Sequence, residues 1–266
     1  MIYTCYDMVR DCRAGKPEGW SYFLTNYVPL VRKLLAHYFP HRAGDARLLE
    51  VVLQALCRSD SSLFAAAEPA PERIFAAELR QRVLAAIDEE SRDVPAAIEL
   101  ETVMQALAPL TMVEHQAVWF ETMRYTAADV GRMMRMDPAT VEKIRARGAE
   151  LVRASVDAWS RSLLADSGIG LGKAAAAAGP GADCLNPKAF LDVIDGRTTW
   201  QGREQMEGHV GACAYCLDHF CRMLEAVDQM RGIAPLSEGE AAPFRQLLGV
   251  TEPKKASGWK KLFGAR

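Results

Sequence analysis

The chain has 266 residues, half of them hydrophobic, with a formal net charge of −2. That size and apolar content predict two compact domains with ordinary cores, and the near-neutral balance excludes nucleic-acid binding driven by total charge alone. No segment approaches the roughly eighteen apolar residues of a membrane span, and the opening MIYTCYDMVRDCR lacks a signal-peptide core. Seven cysteines, an odd number, fit a reducing compartment better than a disulfide framework, so a soluble cytoplasmic protein is expected.

Helical periodicity runs through residues 17–39, 45–58, 70–90, 97–107, 111–122, 126–134 and 138–160, and no strand alternation interrupts it, so the expected class is all-α. Cys5, Cys12 and Cys57 read as buried thiols. His37, His41 and His115 have no ligand partner at useful spacing. The stretch ERIFAAELRQRVLAAIDEE, residues 72–90, carries three Arg against five acids, with Phe75 as its one aromatic.

Residues 125–154, YTAADVGRMMRMDPATVEKIRARGAELVRA, have the layout of a helix-turn-helix. Ala127–Met134 suits a first helix, Asp137 an N-cap, and Pro138 the first position of a second helix. Val141, Ile144, Gly148 and Leu151 recur at helical spacing as an inner stripe, while Thr140, Lys143 and Arg147 fall on the opposite face. A second helix of this kind lies in the major groove, where polar and basic side chains reach bases and phosphates. From Arg124 to Arg161 there are eight Lys/Arg against five Asp/Glu, the local excess a DNA contact needs.

The Gly- and Ala-dominated run 165–183, ADSGIGLGKAAAAAGPGAD, reads as a flexible linker. Beyond it Cys184, His209, Cys213 and Cys216 form the pattern of a closed zinc site. Three thiolates and an imidazole suit tetrahedral Zn²⁺, and a full protein shell leaves no place for a catalytic water, so the expected role is structural or regulatory. A helix over Trp200–Ala212 puts His209 and Cys213 within one turn, and Cys216 follows at the start of the next helix, where exposed N–H groups favour a thiolate. Leu217, Phe220, Leu224 and Val227 form that helix's apolar stripe; His219 and Cys221 read as bystanders. Residues 233–266 read as a loosely structured basic tail with one short helix near Ala242–Leu248. Its end, PKKASGWKKLFGAR, reads as solvated, and membrane contact is not expected.

Two resemblances stand on these residues. CLNPKAFLDVIDGRTTWQGREQMEGHVGACAYC looks like the zinc-binding anti-sigma domain, a small helical module that clasps bacterial sigma factors. Residues 98–153, beginning IELETVMQALAPLTMVEHQAVWFETMRYTAADVGRMM, resemble the promoter-reading domain of extracytoplasmic-function sigma factors. Upstream, AGDARLLEVVLQALCRSDSSLF resembles that family's polymerase-binding helix, with Asp45, Leu49, Glu50, Leu53 and Gln54 as the nearest matches, and residues 71–90 would take the place of the element that opens the −10 region.

The resemblance implies sigma-like helical domains with a helix-turn-helix, followed by a small three-helix zinc-binding domain. The expected divisions are 1–95, 96–164, a linker at 165–182, the zinc domain at 183–232 and the tail at 233–266. It further implies a transcription regulator that binds core RNA polymerase and promoter DNA through Thr140, Lys143, Arg145 and Arg147, controlled in cis by contact with its zinc domain. The alternative is a non-initiating interaction protein or anti-sigma-type regulator in which zinc is structural. No nucleophile–base pair, paired carboxylates or phosphate loop is present, so catalytic residues are not expected.

Overall fold

The computed structural model describes residues 3–57, 62–65, 71–90, 100–157 and 170–250, and every regular element in them is helical. The helices are α1 (Cys5–Arg13), α2 (Pro17–Tyr38), α3 (Ala46–Cys57), α4 (Ser62–Ala65), α5 (Glu72–Glu90), α6 (Leu100–Leu107), α7 (Met112–Thr122), α8 (Ala127–Met134), α9 (Pro138–Ser155), α10 (Gly170–Ala178), α11 (Pro187–Ile194), α12 (Trp200–Ala212), α13 (Ala214–Gln229) and α14 (Glu238–Leu247); a single 3₁₀ turn (Pro40–Arg42) follows α2. Residues 251–266, which hold the basic terminal segment, lie outside the described set, as do 158–169.

Local chemistry starts and stops these helices. Thr4 with Asp7, Thr111 with Glu114, Thr126 with Asp129 and Ser237 with Glu240 form capping boxes, each satisfying two otherwise orphaned N–H groups. Asp137 caps α9 ahead of Pro138, and Asn186 caps α11 ahead of Pro187. Arg135, with φ 57°, ends α8 in the left-handed region, which turns the chain sharply into α9.

The first five helices pack together, α1 and α3 against α2 and α5, and α6 to α9 pack among themselves with α9 meeting α6, α7 and α8. Gly148 in α9 permits the close approach to α7: a Cβ there would lie 2.5 Å from Val118 Cγ2. Between the two groups runs α13, in contact with α2, α5, α6, α7 and α8, while α10, α11 and α12 lie on its remaining sides. Twelve of its sixteen residues are buried, and one apolar cluster runs through all three parts. A helix enclosed on all faces is a core helix.

The stretch expected to be a linker holds α10, which packs against α13, α6 and α7 with Leu171 and Ala175 buried. Five consecutive alanines are the strongest helix formers available, and Gly172 lets the backbone sit directly against α13, since a Cβ there would come within 2.8 Å of Asp218 Oδ1. Glycine and alanine here mark a close helix–helix approach. In α2, Pro29 cannot donate to the carbonyl of Thr25; that oxygen instead accepts from the N–H of Leu236, 2.9 Å away, and α14 lies against α2 beyond it.

Candidate metal centre and buried junction

Cys184, His209, Cys213 and Cys216 converge, their ligating atoms all within 4.8 Å of one another. Cys184 Sγ is 3.7 Å from Cys213 Sγ, and His209 Nε2 is 3.1 Å from Cys216 Sγ. Donors held about 2.0–2.3 Å from a tetrahedral ion sit roughly 3.5–3.8 Å apart, so the set could close on a metal ion with small adjustments. His209 lies in the last turn of α12, Cys213 is at once its C-cap and the N-cap of α13, and Cys216 occupies the first turn of α13. Cys184 comes from the turn after α10, where the N–H of Gly181 donates to its Sγ at 3.2 Å. Cys216 is buried, and the other three are half-buried along a cleft of about 620 Å³ walled by Leu100, Met104 and Ala108. Cys221 is fully buried, with burial pushing its thiol well above the usual range, and is not part of the cluster.

Downstream on α13 the sequence reading missed a second site. Asp218, Arg222, Glu225 and Gln229, at spacings of four, three and four, form a polar stripe buried more deeply than the half-buried Leu224 and Val227. Glu225 Oε1 accepts from the hydroxyls of Tyr38 (2.5 Å) and Tyr125 (2.6 Å), and Oε2 accepts from Arg80 Nε at 2.8 Å. Arg80 Nη2 donates to the Tyr38 oxygen, and Gln229 Nε2 donates to that of Tyr125. Burial works most strongly against the Arg80 charge, but Glu225, Tyr38 and Asp218 together outweigh it and the guanidinium is held ionised. Burial, with Glu225 adding to it, pushes both phenols above their usual range and keeps them as donors.

Two further pairs extend the junction. Asp218 accepts from Trp119 Nε1 at 3.0 Å and pairs with Arg222 at 2.7 Å, and Arg132 of α8 forks onto Asp228 at 3.1 and 2.8 Å. One carboxylate, Glu225, thus joins α2 and α5 on one side to the α7–α8 turn on the other. The visible signal was the recurrence of Asp, Arg, Glu and Gln at helical spacing in a segment that also carries an apolar stripe.

The remaining predicted residues divide. Thr140 and Lys143 are exposed on α9, and Arg147 is paired with Glu114 at 3.0 Å. Arg145 points inward and donates to the carbonyl of Tyr125 at 2.7 Å, satisfying an acceptor left open at the α7–α8 turn, so it is turned away from the outer face. On α3, Glu50 and Gln54 are exposed, Leu49 and Leu53 belong to the core, and Asp45 caps the helix through the N–H groups of Arg47 and Leu48. Phe75 packs among Phe23, Tyr27 and Phe64. His115 is buried against Gly211 of α12.

No family model, curated protein or solved structure matches this chain. Among the described residues no helix is long and apolar enough to cross a membrane.

Proposed function

We propose that this protein is a sigma-like transcription regulator, with zinc as the ion of the Cys₃His cluster, held closed by its own C-terminal part. The observation that carries the reading is the Glu225 junction, in which one carboxylate of α13 takes hydrogen bonds from α2, from α5, the helix that would face the −10 DNA, and from the turn that leads into the helix-turn-helix. The resemblance of residues 98–153 to a promoter reader, the cap-turn-cap geometry of α8 and α9 and the exposed Thr140 and Lys143 support the DNA half. The donor set supports zinc, since three thiolates and an imidazole are its common tetrahedral shell.

A non-initiating interaction protein is the second reading. Its support is that Phe75, Arg80 and Arg145, three groups a strand-opening factor would present to DNA, are all buried. The test is in vitro transcription and gel shift with the full chain and purified core polymerase over a salt series. A promoter reader gives specific binding that falls steeply with salt, and Lys143→Ala shallows the slope by about one counterion. Polymerase binding without promoter-dependent transcripts in any variant would select the second reading.

A further inference from the structure

If the tail closes the molecule, the part that opens it cannot be α13, because a helix with twelve of sixteen residues buried leaves only by dissolving the core. The segment after it is held quite differently. From Ile233 to Val250 only Ala241 and Arg245 are buried, and Arg245 is satisfied within its own segment by the carbonyl and carboxylate of Glu238. Ala241 in the α14–α2 seam, the Phe244 ring with the Arg32 guanidinium 5.2 Å from its centroid, and the Leu236 N–H on the Thr25 carbonyl that Pro29 leaves free hold the segment on α2, and Ile233, Leu236, Leu248 and Val250 add only partly buried apolar contacts. Few buried apolar groups and one backbone bond to the body are the marks of a segment that opens locally.

Its position matters. Phe244 forms one wall of a cavity of about 550 Å³ whose other walls are Pro29, Arg32 and Lys33 of α2 and Asp45, Leu49 and Glu50 around the start of α3. Three of the five residues assigned to polymerase binding therefore face the same hollow as the α14 ring. We infer that residues 233–250 are a displaceable latch, registered on α2 by the carbonyl that Pro29 frees, and that core polymerase competes with it for the α2–α3 corner. The inference rests on the sigma-like reading for the identity of the competitor, and on the fold alone for the latch. Opening it leaves the metal cluster and α13 in place.

The test uses the full chain in two variants. Pro29→Ala restores an α2 N–H that takes back the Thr25 carbonyl, and Phe244→Ala removes the ring from the cavity; neither residue belongs to the metal cluster or the buried junction. Hydrogen exchange resolved by segment should show residues 236–248 exchanging at least tenfold faster in both variants, with α13 unchanged. Affinity for purified core RNA polymerase should rise by a similar factor. Exchange of the latch and α13 at one common rate in the unmutated chain would overturn the latch, as would unchanged polymerase affinity in variants whose latch has opened. Absence of polymerase binding in every form, latch open or closed, would instead refute the sigma-like reading.

Discussion

Replacing Glu225 by Gln keeps the side chain's shape and removes its charge. Arg80, 2% exposed, is then left with a buried, unpaired guanidinium, and the hydroxyls of Tyr38 and Tyr125 lose a carboxylate acceptor. Breaking a buried ion pair from one side costs about 3–5 kcal/mol, a large part of the roughly 5–15 kcal/mol that holds an ordinary domain. Because the carboxylate bridges two groups of helices, the loss falls on their union as much as on either group. Urea unfolding followed by tryptophan fluorescence should show the midpoint falling steeply while the slope stays the same. Removing both charges in Arg80→Met with Glu225→Met should be less damaging than Glu225→Gln alone, since no uncompensated ion remains. A Glu225→Gln midpoint within about 0.5 kcal/mol of the parent, or a double variant as weak as the two single losses added together, would refute the claim that this pair is a coupled keystone.

The proposed zinc reading predicts one zinc per chain by elemental analysis, lost in Cys216→Ser and retained in Cys221→Ser, with chelation lowering the thermal midpoint of the parent chain. Gly172→Ala, a change that stabilises most helix interiors by about 1 kcal/mol, should here cost about 1–3 kcal/mol because the new methyl meets Asp218; a stabilised variant would show that α10 does not press on α13. His219 lies against Phe190, their ring centroids 5.4 Å apart, and burial, with Arg222 adding to it, lowers its pKa to about 3. The unfolded chain takes up that proton below about pH 6.5 and the folded chain does not until about pH 3. Stability therefore falls as pH drops through that window, by up to about 1.4 kcal/mol per unit, and His219→Leu should flatten the slope of unfolding free energy against pH by up to one proton.

Sequence alone determined the features that depend on near neighbours. Thr, Asp, Asn and Ser caps followed by acids or proline set where helices begin, the 3.6-residue recurrence of apolar groups fixed the all-α class, and His-x₃-Cys-x₂-Cys gathers its ligands because a helix end and the next helix's first turn bring those positions together whatever surrounds them. The short helix expected near Ala242–Leu248 is there for the same reason, started slightly earlier by the Ser237 cap.

Tertiary packing alone decided what each neutral-looking stretch was for. The glycines and alanines of α10 carry no core-forming bulk, and only the presence of Asp218 opposite Gly172 turns that emptiness into close contact. Arg145 had equal reason to face DNA or the interior until the Tyr125 carbonyl supplied an inward acceptor. The polar stripe of α13 would belong in water on an isolated helix; it is buried where Arg80, Tyr38, Tyr125 and Trp119 arrive from elements between about 100 and 190 residues earlier to bond Glu225, Gln229 and Asp218. A charge can be read from the chain, but the partner that allows it to be buried comes from the fold.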